Sequence, residues 1–87
     1  MYFVHLLQSE KDQTFYVGQT SGIDYRLAEH NGGKVYYTSR KKPYRLVYYE
    51  AYQTREAAVE RERQLKRFGS TYVGLLKRLG LKEVAIF

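Results

Sequence analysis

The sequence predicts a small α+β domain with its elements in the order β-β-α-β-α-α. Three observations lead there. Two short apolar runs, residues 2–7 and 14–18, flank a polar cluster at residues 9–13, and strand formers on either side of such a cluster are a hairpin signal. A third run of the same character, residues 44–52, stands alone farther along the chain. Three other stretches, 21–31, 54–68 and 70–79, carry helix start and stop residues.

At 87 residues the chain predicts one domain spanning residues 1–87, near the lower limit of what folds without help. The absence of cysteine excludes disulfides and Cys-ligated zinc as staples. Stability must come from an ordinary core, and 44% hydrophobic content is enough to build one. Ten tyrosines and no tryptophan supply rings that can be buried while keeping a hydroxyl for a partner. No apolar run reaches the length of a membrane span, and the N-terminus has no signal-peptide pattern. The expected location is therefore cytoplasmic, with no membrane partner. The net charge of +6 and a pI near 9.6 favour an acidic partner, nucleic acid ahead of an anionic membrane surface.

The hairpin, residues 2–20, closes on Tyr16-Val17-Gly18. A glycine there lets a neighbouring group approach the backbone closely and lets the chain turn out of the sheet. In the helix at 21–31, Ser21 and Asp24 have the spacing of a capping box, Ile23 and Leu27 form the apolar stripe, and Asn31-Gly32-Gly33 supplies the stop. Arg26 and His30 are four apart and share a face bordering that stripe, at the margin of the core. Residues 34–45 contain Lys34, Arg40, Lys41, Lys42 and Arg45 with no acid among them. Pro43 biases Lys42 away from helix, so most of this segment reads as loop. Basic residues interleaved with tyrosines, Thr38 and Ser39 suit a phosphate backbone; the alternative is a solvated loop that keeps the protein soluble. After the strand at 44–52, Thr54 caps the second helix and Gly69 stops it. Ser70 caps the third, which Gly80 ends. The apolar tail, residues 81–87, is expected to add a short strand or cover the core.

One acid on the second helix stands out. At 3.6 residues per turn, Ala58 and Leu65 fall on one line and Glu62 lies within their stripe, whereas Glu56 and Glu60 point roughly the other way. A carboxylate on an apolar face is costly unless it is paired or holds a metal. A buried arginine, a tyrosine hydroxyl or a divalent cation would each answer for Glu62.

Taken in order, these features resemble the GIY-YIG nuclease family, above all its small single-domain bacterial members. The resemblance covers residues 2 to about 66. Phe3-Val4-His5 sits where the first triplet belongs, and Tyr16-Val17-Gly18 matches the second. The Arg26/His30 helix, the YTSR segment, the LVYYE strand and the run Arg61-Glu62-Arg63-Gln64-Leu65-Lys66 follow at the right spacings. Two departures are visible: His5 replaces the tyrosine of the first triplet, and no asparagine follows Asn31, although several relatives carry one beyond the glutamate helix.

The resemblance implies a three-stranded antiparallel sheet with helices packed around it, and a metal-dependent endonuclease. It implies that Tyr16 deprotonates or orients the attacking water, that Arg26 holds the scissile phosphate, and that His30 moves a proton or orients the nucleophile. Glu62 would bind Mg²⁺ or Mn²⁺. No role is carried over to Thr20, where some relatives have a basic residue. A neutral imidazole at His5 could act as a base near pH 7, or it could mark a degenerate site. Phosphodiester hydrolysis needs these parts in any case: an activated water, cationic stabilisation of the transition state, and help for the leaving oxygen. The expected substrate is DNA cut with low sequence specificity, single-stranded, branched or repair substrates included, bound through Lys34, Thr38, Ser39, Arg40, Lys41 and Lys42. The alternatives are a catalytically impaired nucleic-acid-binding module on the same fold, and a protein-interaction domain.

Overall fold

The computed structural model of the chain describes residues 1–82. The elements come in the expected order: β1 (Tyr2–Ser9), β2 (Phe15–Thr20), α1 (Ile23–Asn31), a short 3-10 helix (Tyr36–Lys41), β3 (Tyr44–Tyr52), α2 (Arg55–Arg67) and α3 (Gly69–Leu79). The expected role for the tail falls mainly on residues beyond 82, outside the described range, although Leu81 packs against the core.

The strands form one antiparallel sheet in the order β2-β1-β3. β1 is central, and residues 4–9 are all buried, as expected of a strand covered on both faces. Alternation along β1 sorts the chemistry. Val4 and Leu6, with Val17 opposite Leu6 and Phe15 opposite Gln8, face α2 and α3. Ala58, Leu65, Tyr72, Leu75 and Leu76 close that core from the helices. Phe3, His5 and Leu7 face the other way, with Gly18 opposite His5 and Tyr16 opposite Leu7, and α1 lies on that side. A one-residue shift between Leu6 and Leu7 leaves Val47 as the extra residue of a bulge on β3.

Several boundaries differ from expectation. α1 begins at Ile23 with Gly22 at the N-cap and no side-chain cap, so the Ser21/Asp24 capping box does not form. The nearby hydroxyl is that of Thr20, which accepts a hydrogen bond from the Gly22 N–H at 3.0 Å. Thr54 does cap α2, accepting from the Ala57 N–H at 3.2 Å. That helix ends one residue earlier than expected, because Phe68 is both the C-cap of α2 and the N-cap of α3. Gly69 therefore opens α3, and Ser70 lies inside it. Gly80, at φ 71°, ends α3 in the left-handed conformation that favours glycine. Part of the basic segment is ordered as the 3-10 helix, and Lys42 beyond it is extended, as a residue before proline should be.

Side chains fasten this segment to the sheet. Ser9 Oγ donates to the Lys41 carbonyl at 2.5 Å. Lys41 Nζ meets Asp12 Oδ2 at 2.5 Å, and this ammonium holds the Asp12 carboxyl well below the ordinary carboxylate range. Asn31 clamps the start of β3 to the end of α1: its side chain donates to the Tyr44 carbonyl at 3.0 Å and accepts from the Tyr44 N–H at 2.6 Å.

Candidate active site

The α1 side of the sheet gathers four aromatic rings around Gly18. Tyr16 and His30 have their ring centres 4.7 Å apart, His5 and His30 6.3 Å, His5 and Tyr16 6.4 Å, and His30 and Tyr44 5.7 Å. Gly18 makes room for the arrangement. A Cβ at this position would stand 2.6 Å from His5 Cε1, closer than carbon atoms approach, and 3.1 Å from Tyr16 Cε2, a tight contact. The glycine of the second triplet therefore accommodates the residue of the first, and here that residue is an imidazole.

Both histidines are buried, so His30 lies deeper than the core margin expected for it. Its Nδ1 is 2.7 Å from Thr38 Oγ1, and the same hydroxyl donates to the Val35 carbonyl at 3.3 Å. Thr38 has one proton to give. With that proton on Val35, His30 Nδ1–H donates to Oγ1, and Nε2 is left with its lone pair. Burial and the nearby Arg26 push the His30 pKa down to about 4. Burial lowers that of His5 too, so both imidazoles are neutral at pH 7. Among the described residues, neither nitrogen of His5, nor His30 Nε2, nor the Tyr44 hydroxyl has a hydrogen-bond partner. Burial also pushes the Tyr44 hydroxyl up to about 12. Unpaired buried polar groups destabilise a fold, and four in one cluster point to a site kept for chemistry.

Charged groups complete the cluster. The charges of Arg26, Glu62 and Lys66 all bear on His5. Arg26 is half-buried, with Nη1 3.3 Å from Glu29 Oε1 one helical turn away. It opens into a cleft of about 590 Å³ that Tyr25, Arg55 and Thr20 also line. Glu62 departs from its expected place, since its side chain is 23% exposed and pairs with Lys66 at 2.8 Å. Helix geometry explains this. Taking 100° per residue, Arg61 and Glu62 lie about 50° to either side of the line through Ala58 and Leu65, so they leave the core on opposite flanks. Glu62 leaves on the flank from which its charge reaches His5, and it borders a second cleft of about 440 Å³ formed along α2 with Val59, Arg63, Lys66 and Arg67. Arg61 turns toward β3.

The enclosed carboxylate that sequence reasoning missed is on β3. Glu50 receives Arg61 Nε at 2.6 Å and the hydroxyls of Tyr48 and Tyr52 at 2.5 Å each. These donors hold its pKa below the ordinary value despite the opposing effect of burial. Lys66 was also missed, although its Glu-x-x-x-Lys spacing is plain in the sequence. Its Nζ stands 5.4 Å from the centre of the Tyr16 ring.

Of the residues expected to meet nucleic acid, Lys34, Arg40 and Lys42 are exposed. Ser39 is half-buried, and Lys41 is held by Asp12. Thr38 is fully buried and its hydroxyl is engaged by His30, so it has no face for a phosphate. For a metal, the fit is of one particular kind. Among the described residues no three His, Cys, Asp or Glu side chains group to hold an ion. A hard cation such as Mg²⁺ needs less, since one or two carboxylates with water and substrate phosphate oxygens suffice. Glu62, at the rim of a cleft, fits that description. No helix among the described residues is long and apolar enough to cross a membrane.

Comparison with known proteins agrees with this geometry. The description "GIY-YIG catalytic domain" belongs to the family profile that matches residues 1–75. The chain is 34% identical over 68 residues to a UPF0213 protein of Haloquadratum walsbyi, covering 77% of this chain and 75% of that one. It is 35% identical over 68 residues to a UPF0213 protein of Staphylococcus haemolyticus, covering 77% and 82%. The solution NMR structure of a UPF0213 protein of Bacillus halodurans superposes with a TM-score of 0.55 at 31% identity, covering 91% of this chain and 85% of that one. With that fold, and with His5 of the first triplet opposite Gly18 of the second across β1 and β2, the chain belongs to the GIY-YIG catalytic domain family, which is of nuclease type.

Proposed function

We propose that the protein is a divalent-metal-dependent endonuclease that hydrolyses nucleic-acid phosphodiester bonds, DNA first. The observation that supports it most is the Tyr16–His30 pair, ring centres 4.7 Å apart, beside a His5 on which the charges of Arg26 from α1 and Glu62 from α2 both bear. Water attacks phosphorus and the bond to the leaving oxygen breaks, so the water must lose a proton and the site must stabilise negative charge at the phosphate. Tyr16 Oη accepts a hydrogen bond from the attacking water and orients it, and the proton that the water loses on attack passes to solvent. His30, with a pKa near 4, holds a proton too weakly to store it, so its Nε2 lone pair serves to orient. Arg26 holds the non-bridging phosphate oxygens from the rim of the cleft. Glu62 would hold the divalent cation, which when bound neutralises charge on the leaving oxygen.

A second reading, a nucleic-acid-binding module without activity, is favoured by one observation: His5 stands in the first triplet with both nitrogens unpartnered. Incubation of the protein with end-labelled single-stranded, duplex and branched DNA, with Mg²⁺ or with EDTA, separates the two. Cutting that requires the metal is expected. Binding without cutting under every condition supports the second reading.

A further inference from the structure

We propose that Lys66 is the resting occupant of Glu62 and a positioning residue for the site, giving up the carboxylate when a divalent cation binds. This rests on the reading of Glu62 as the metal-binding acid. Three interactions converge on the Lys66 ammonium. It pairs with Glu62 Oε2 at 2.8 Å, it stands 5.4 Å above the Tyr16 ring, and its charge reaches His5. A lysine four residues after a glutamate is in the favourable orientation for such a pair. The pair holds Glu62 half-buried, at 23% exposure, beside the ammonium that also stands over Tyr16.

A cation at Glu62 must compete with this ammonium, because a dication and an ammonium repel one another at one carboxylate. Lys66 is well placed to move. Its side chain is 40% exposed and the face of the Tyr16 ring offers it a second favourable position. Released from Glu62 it remains beside Tyr16, adding positive charge where the phosphate would lie. The adjacent cation, Arg63, does not share the pairing with Glu62. Arg63 is committed to Glu60, with Nη2 and Nε at 2.5 and 3.0 Å from its two carboxylate oxygens, and residues one apart on a helix do not face each other.

The test is the affinity of the protein for Mn²⁺, followed through the EPR signal of the free ion, in the absence of nucleic acid. Lys66→Met is expected to tighten Mn²⁺ binding by about fivefold, the scale of one partly exposed ion pair together with relief of the repulsion. Arg63→Met removes the same charge from the same cleft without touching Glu62, and is expected to change affinity by less than about twofold. Equal tightening by both variants would show a general charge effect and overturn the proposal. So would unchanged or weaker binding in Lys66→Met. Glu62→Gln serves as the separate control. If Mn²⁺ binds that variant as well as the wild type, the assignment of Glu62 to the metal fails, whatever Lys66 does.

Discussion

The His5 ring lies across the backbone of Gly18, so closely that one methyl group there would stand 2.6 Å from Cε1. The two triplets that mark the family thus meet at one cross-strand pair, His5 and Gly18, and the ring of the one constrains the size of the other.

That packing sets the sign of a substitution. A glycine inside a strand ordinarily gains stability on replacement by alanine. Gly18→Ala is expected to lose about 1–3 kcal/mol, because the buried ring must move. In a His5→Ala background the same change is expected to lose less than half as much. Urea denaturation of the four proteins of this cycle measures the coupling, and simple additivity would show that the ring is not what Gly18 accommodates.

The buried histidines make stability depend on pH. The folded-state pKa of His30 is depressed from 6.5 to about 4, so between these values the unfolded chain binds more protons than the folded one. Stability is therefore full above pH 6.5 and falls as pH is lowered toward 4, by about 3 kcal/mol in all for this residue. His5, shifted the same way, adds to the loss. The urea midpoint followed from pH 7.5 to 4 should drop, and His30→Gln should flatten the curve. An equal slope in the variant would contradict the assignment.

Glu50 and Glu62 sit near opposite flanks of α2 and should answer differently to loss of a partner. Arg61→Ala leaves Glu50, whose side chain is 16% exposed, with only the two tyrosine hydroxyls. It is expected to destabilise the fold by about 1–3 kcal/mol. It should leave cleavage unchanged in protein that remains folded, because this network ties α2 to β3 and includes none of Tyr16, Arg26, His30 or Glu62. Thermal melts and cleavage rates on the same preparations check both halves.

The exposed cations can be ranked by the salt dependence of DNA binding. Replacing Lys34, Arg40 and Lys42 together by glutamine should reduce the slope of log K against log salt by about 0.7–0.9 for each phosphate that the variant no longer neutralises. Lys41→Gln should change the slope less, because that ammonium is bound to Asp12. An unchanged slope in the triple variant would remove the basic segment from the binding surface and leave Arg26 and Arg55, in the cleft beside exposed Tyr25, as the next candidates.

The fold was largely legible because its signals are local. The hairpin, the lone strand and the Thr54 cap each rest on a few adjacent residues, and so does the left-handed Gly80. Helix starts were read less well. Ser21 has the chemistry of a cap, yet the backbone at Gly22 takes that position, a choice set by how β2 hands over to α1. Helical spacing located Glu62 near the core but not on which flank it leaves, since 50° of rotation is finer than the pattern resolves. Thr38 shows a different limit. In sequence it is one hydroxyl among cations, and only the fold of the 3-10 helix brings it under His30. Glu50 is inconspicuous in the sequence because it is the single acid of its strand, and its donors Tyr48, Tyr52 and Arg61 converge only in three dimensions.

The most direct measurement compares wild type and Glu62→Gln for both binding and cutting of labelled DNA in Mg²⁺. Glu62 sits at a cleft rim, and glutamine keeps its size and still permits a hydrogen bond to Lys66, so the fold and the basic surface should persist. The expected result is metal-dependent cleavage by the wild type and a loss of more than about a hundredfold in the variant, with binding in EDTA changed by less than about threefold. Equal cleavage by the two proteins, or binding by the wild type with no cleavage of any strand, would contradict the assignment of this cluster as a metal-dependent nuclease site.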